Sequence, residues 1–214
     1  MKKTDTNLSK IPLMWLDGQE RLIVRELVKN PRISDNQITK NTSVPLKTVN
    51  RKRKILEEKN VLKYFAYLDV GIGGLGIYPF RQLYTVKLKE GITISMLEEY
   101  FKKSQEDLTL NTNFTQDSWI GEVHGNLAVV FIAEAMTENQ LINFFNGHII
   151  PGLKKEFGKD AVAETKTVRL GKRIRFFRNY LPFTNIENGT IKKDWPNENI
   201  FTDTIKENAR KKFD

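Results

Sequence analysis

The chain has 214 residues and 35 Lys/Arg against 26 Asp/Glu, a formal net charge of +9. Its 39% hydrophobic fraction suffices for one large or two small folded domains, which excludes general disorder. With no cysteine, disulfides, a thiolate zinc site, an Fe–S cluster and a Cys nucleophile are excluded; with no run near ~18 apolar residues and no signal-like start, a cytoplasmic location away from membranes is expected.

Residues 1–12 read as a flexible basic arm, with Lys2 and Lys3 available to phosphates. From 13 to 64 the pattern predicts three helices. In the first, Leu16, Ile23, Val24, Leu27 and Val28 recur at helical spacing, Asp17 caps the start and Asn30-Pro31 stops it. Ser34 to Gln37 reads as a capping box for a short second helix that ends near Asn41. After a Thr42-Ser43-Val44 turn, Pro45 opens a third helix that runs to Lys59, and Asn60 suits a left-handed cap. Val61–Val70 alternates as a strand. Three helices, tight turns and a strand describe a winged helix-turn-helix. At 100° per residue, Val49 and Leu56 share one face of the third helix. Lys47, Arg51, Lys54 and Glu58 lie opposite, flanked by Asn50.

Residues 65–80 combine the end of that strand with the glycine-rich run Gly71 to Gly76. The run matches G-x-G-x-x-G, but Pro79 and a strand follow where a dinucleotide site needs a helix, so a hinge is the expected role. From 81 to 170, strands at Arg81–Lys89, Leu108–Phe114, Trp119–Val123, Asn126–Ala133 and Ala161–Leu170 alternate with helices capped by Thr93 and Thr137. This is the order of a ferredoxin-like βαββαβ domain, whose uncovered sheet face calls for a second copy. Pro151 is expected to kink or break the second helix. Residues 171–214 form a basic-aromatic C-terminal extension, with a helix expected over Phe201–Phe213.

The charge is uneven along the chain. Residues 1–63 hold 15 Lys/Arg and 7 Asp/Glu, residues 64–170 hold 10 and 13, and residues 171–214 hold 10 and 6. A basic helix-turn-helix ahead of a slightly acidic domain points to double-stranded DNA as partner. Ser43, Lys47, Thr48, Asn50, Arg51, Lys52 and Lys54 are the expected DNA-contacting residues. Arg51 can pair with guanine, Asn50 with adenine, and Lys52, Arg53 and Lys54 with phosphates. His124 and His148 have no ligand partner at metal spacing, and no P-loop, nucleophile elbow or HExxH occurs. No catalytic centre, metal or cofactor is expected.

The run Leu16-Asp17, Ile23, Leu27, Arg32-Ile33-Ser34, Thr48-Val49-Asn50-Arg51-Lys52, Leu56-Glu57 and Val61-Leu62 resembles the Lrp/AsnC family of transcription regulators. The middle domain, with Gly125 and the closing 164–170 run, is similar to that family's ligand-binding and oligomerisation domain. The resemblance covers residues 13–170. It implies an α+β protein with an N-terminal winged helix-turn-helix and a βαββαβ domain that dimerises through residues 81–170 or assembles further. It also implies a small-molecule effector near His124, Gly125 and Asn126. Three positions depart from the family pattern: Arg53 replaces an apolar residue, Asn60 a glycine, and Ala128 the acid of a Gly-x-x-Asp turn. A low-specificity architectural DNA binder is one alternative. The other is a decarboxylase of sirohaem-type tetrapyrroles, which proteins similar to the family include; its linker histidine is missing from Val61–Phe80.

Overall fold

The computed structural model describes residues 16–103, 112–175 and 177–202. They fall into two compact units: 16–66 together with 173–202, and 67–172. The expected basic arm at 1–12, the 108–111 part of one expected strand and most of the expected C-terminal helix lie outside the described residues.

In the first unit α1 spans Gly18–Lys29, α2 Asp35–Thr42 and α3 Leu46–Glu58. Asp17 begins α1 with a full capping box: its carboxylate accepts from the Glu20 amide, and the Glu20 side chain accepts from the Asp17 amide. At α2 only half of the expected box forms. Ser34 accepts from the Gln37 amide, but the Gln37 side chain donates to Asn41 Oδ1 at 2.8 Å instead of reaching back. Ile23, Leu27, Ile38, Val44 and Val49 are buried together, with Leu22, Ile33 and Leu62 packed against them. This is the apolar stripe that the helical spacing requires. Ser43, at φ 60°, turns the chain between α2 and α3, and Asn60, at φ 55°, takes the left-handed conformation after α3.

The strand expected over Val61–Val70 does not form. The segment has no ladder partner among the described residues, and alternation alone cannot satisfy a strand's backbone groups. The hairpin of this unit is supplied from the other end of the chain. Ile186–Glu187 (β5) pairs with Thr190–Ile191 (β6) across an Asn188-Gly189 turn, with φ 50° and 76° at the two turn residues. Around it the extension is tied by asparagines. The Asn185 side chain donates to Asn179 O and accepts from the Leu181 amide, both at 2.9 Å, while Asn179 donates to Phe201 O and accepts from the Phe201 amide. Asn185 is 1% exposed, and Ile191 and Ile200 are buried as well. Two bonds fasten the extension to the end of α1: Tyr180 Oη donates to Val28 O at 2.8 Å, and Lys29 Nζ donates to Asn197 Oδ1 at 2.9 Å.

The second unit begins with a tight loop. Asp69 Oδ1 accepts from the Gly71 amide and Asp69 O from the Leu75 amide, and a Cβ on Gly74 would lie 2.0 Å from Asp69 O. Strand β1 (Phe80–Leu88) follows, so no helix stands ready for a pyrophosphate. Next come α4 (Ile94–Lys103), β2 (Thr115–Val123), β3 (Asn126–Ala135), α5 (Glu138–Phe144), α6 (Ile150–Phe157) and β4 (Val162–Arg169). The sheet is antiparallel in the order β2-β3-β1-β4, the ferredoxin-like arrangement. Residues 112–114, expected to end a strand, are helical.

Between α5 and α6 the helix widens into a π turn over Phe145–Ile149, just before Pro151. A proline ring clashes with the carbonyl four residues earlier, and the longer register passes that point without breaking the helix. Tyr84 stacks on Phe131 at 5.0 Å and on Phe145 at 4.4 Å, placing Phe145 in the core. Burial pushes the Tyr84 hydroxyl up to about 12. On the opposite face of the sheet, Trp119 and Val168 are about half exposed.

Candidate nucleic-acid interface

Helix α3 buries Val49 and Leu56 and exposes Lys47, Asn50, Arg51, Lys54 and Glu58. The exposed set is the one the 100° rotation selects, so a guanidinium, a carboxamide and two ammonium groups share one face. These are groups that donate to phosphate oxygens and to base edges in a major groove. Lys54 lies 3.7 Å from Glu58 one turn on, with both side chains largely exposed, a pairing weak enough for DNA to replace. Ser43 is exposed in the turn before α3, and Thr48 is half-buried at its start.

Two expected phosphate contacts are used inside the domain instead. Lys52 is 7% exposed; its ammonium bonds Asp17 and lies 3.4 Å from Glu20, fastening the middle of α3 to the start of α1. The hydrogen bond to Asp17 holds the Lys52 ammonium above its usual range against the opposing effect of burial. For Asp17 burial works upward, yet the bonds from Lys52 and from the Glu20 and Gln19 amides hold its carboxyl below the ordinary value. In this structure Lys52 is an internal tie and does not share the exposed face of α3.

Arg53 is likewise withdrawn. Its guanidinium meets Asp35 at 2.8 Å and Glu57 at 2.9 Å and lies 5.3 Å from the Tyr64 ring centre. Burial opposes its charge, but the bonds to Glu57 and Asp35 outweigh that and raise its pKa. The Tyr64 hydroxyl is pushed up to about 12, chiefly by burial and then by its bond with Glu57. Thus the charged Arg53 fits an otherwise apolar position by finding carboxylates on α2 and on its own helix.

The structure places His124, Gly125 and Asn126 at the tip of the β2–β3 hairpin. His124 and Gly125, at φ 49° and 76°, are the two turn residues; Glu122 accepts from the Gly125 amide at 3.2 Å, and Asn126 donates to His124 O. His124 and Gly125 are exposed there. Among the described residues no group of three or more His, Asp or Glu side chains could hold a metal ion. No helix among them is long and apolar enough to cross a membrane.

Residues 16–63 match a family model described as winged helix-turn-helix DNA-binding. No curated protein matches the chain in sequence. Among solved structures, LrpC of B. subtilis superposes with a TM-score of 0.54 at 16% identity, covering 76% of this chain and 99% of its own. AsnC of E. coli gives 0.54 at 14% identity, covering 76% and 96%. A transcriptional regulator of Neisseria meningitidis, solved in complex with L-Met, gives 0.53 at 14%, covering 75% and 93%.

The chain has the Lrp/AsnC fold. At these identities the likeness is one of architecture. The Lrp/AsnC fold is matched almost end to end in these structures, while about a quarter of the present chain lies outside the match with LrpC. Sequence reasoning missed the Asp17–Lys52 tie and the docking of the extension on α1. The first was signalled by Lys52 falling beside the buried stripe of α3, and the second by no periodic signal at all.

Proposed function

We propose that the protein is a sequence-specific DNA-binding transcription regulator that acts as a dimer. The observation that carries this reading is the α3 face on which Lys47, Asn50, Arg51 and Lys54 are exposed opposite Val49 and Leu56. The helix-turn-helix match and the transcription regulators among the structural neighbours support it, and they favour a non-enzymatic role. In this reading α3 enters the major groove, with Arg51 and Asn50 at base edges and Lys47 and Lys54 at phosphates.

Dimerisation is assigned to the second unit, whose outer sheet face carries the half-exposed Trp119 and Val168 and the partly buried Val130, Leu83 and Ile132. A two-fold pair would present α3 helices to half-sites about one DNA turn, ~34 Å, apart.

A binding selection from random duplexes tests the reading: it should enrich a palindrome, and unpatterned enrichment would overturn it. Arg51→Ala should weaken binding to the selected site and relax one position in each half-site, at about 1–3 kcal/mol of discrimination. Trp119→Asp should shift the protein from dimer to monomer in light scattering at micromolar concentration; an unchanged dimer places the interface elsewhere.

A further inference from the structure

The C-terminal extension takes no part in the α3 face. The β5–β6 hairpin belongs to the same unit as α1, α2 and α3. Its Thr190, Ile191 and Lys193 share a cleft of about 580 Å³ with Glu26, Lys29 and Asn30 at the end of α1, with Ile33 before α2, and with Gln37 and Asn41 on α2. In a helix-turn-helix the second helix of the motif lies in the major groove while the first crosses the sugar-phosphate backbone. Helix α2 is that first helix, so the hairpin, docked on α1, faces across the cleft the element that runs over phosphates.

The extension divides its cations between two uses. Arg175 donates to Arg178 O at 2.8 Å, and Arg178 lies 4.3 Å from the Phe201 ring centre, so both hold the extension together. Lys192 and Lys193, leaving the hairpin, form no side-chain ion pair among the described residues; Lys193 is exposed and Lys192 half-buried, and the exposed Glu187 and Asp194 line the same surface. Arg32, in the loop that opens α2, is exposed as well. Meanwhile the segment after α3, where a wing is expected, forms no ladder.

We propose that the C-terminal hairpin is a transplanted wing, with Lys192 and Lys193 neutralising DNA phosphates that flank the site read by α3. This rests on the DNA-binding reading. An acidic protein surface would suit the same two lysines, but the hairpin's place across the cleft from the backbone-crossing helix favours DNA.

The test compares full-length wild type, Lys192→Ala/Lys193→Ala, Lys193→Glu and Arg51→Ala on the selected duplex and on a scrambled one across a salt series. Each neutralised phosphate contributes about 0.9 to the slope of log K against log salt. The double variant should lose up to about 1.8 of that slope, and about tenfold or more in affinity near 0.1 M salt, on both duplexes alike. Its selected sequence should stay that of the wild type, and Lys193→Glu should weaken binding further than alanine at this position. Unfolding midpoints within a degree or two of wild type establish that the loss is one of contact. Wild-type slope and affinity in the double variant overturn the proposal and leave the surface to a protein partner; so does a changed sequence preference. These outcomes are separate from failure of the α3 reading, which Arg51→Ala registers as an unchanged motif.

Discussion

The three N-terminal helices and the extension that docks on them share one unit but are held by different forces. The helices bury Ile23, Leu27, Ile38, Val49 and Leu56, all at most 2% exposed, and draw their stability from apolar area removed from water. The extension buries Ile191 and Ile200 but owes its path to directed bonds, above all those of Asn179 and Asn185. Apolar burial tolerates exchange among side chains of similar volume. An amide that satisfies two backbone groups at once has no apolar substitute.

The largest effect that would sharpen this contrast is expected from Leu27→Ala. It leaves a cavity in the three-helix core and should cost about 2–5 kcal/mol in urea unfolding of the unit. A loss under about 1 kcal/mol would mean that the helices lean on something other than that core. Next comes Asn185→Ala, which strips partners from Asn179 O and the Leu181 amide, at about 1–3 kcal/mol for a buried group left unsatisfied. Hydrogen exchange should speed up over 179–202 while 18–58 stays protected; equal acceleration in both would erase the distinction.

The smallest effect is electrostatic and belongs to the Asp17–Lys52 tie. Because the folded-state pKa of Asp17 lies below the ordinary carboxylate value, its contribution is present above that value and fades as pH falls through the folded one. Lys52 behaves oppositely: its contribution is present below 10.5 and fades as pH rises through its higher folded value. Asn at 17 keeps a good cap but removes the charge. The stability gap between wild type and Asp17→Asn should therefore be open at pH 7 and close below about pH 4 in thermal melts. A gap of equal size at pH 3 and pH 7 would refute the ion pair.

What was legible in the sequence divides along the same line. Helices α1, α2 and α3 and the βαββαβ order follow from periodicity and caps, because burial repeats with the helical or strand period and Asp17, Thr93 and Thr137 mark the starts. The exposed face of α3 follows from the same rotation. Lys52 and Arg53 do not: basic side chains look alike in sequence, and only the carboxylates of Asp17, Glu20, Asp35 and Glu57 brought near them in space decide that they turn inward. The Val61–Val70 segment alternates as a strand should, yet a ladder needs a second strand, which alternation cannot supply. Hardest to read was the extension, because an asparagine that bridges backbone groups leaves no repeating trace.

The DNA-binding unit begins at one end of the chain and is finished near the other, since Tyr180 must reach the Val28 carbonyl. A ribosome adding about 5–20 residues per second releases the three helices and the whole middle domain before that bond can form. The middle domain can thus complete itself during synthesis, while the first unit waits for residues 173–202. A product cut short by a nonsense codon near residue 170 would keep its helices and its middle domain but lack the clasp.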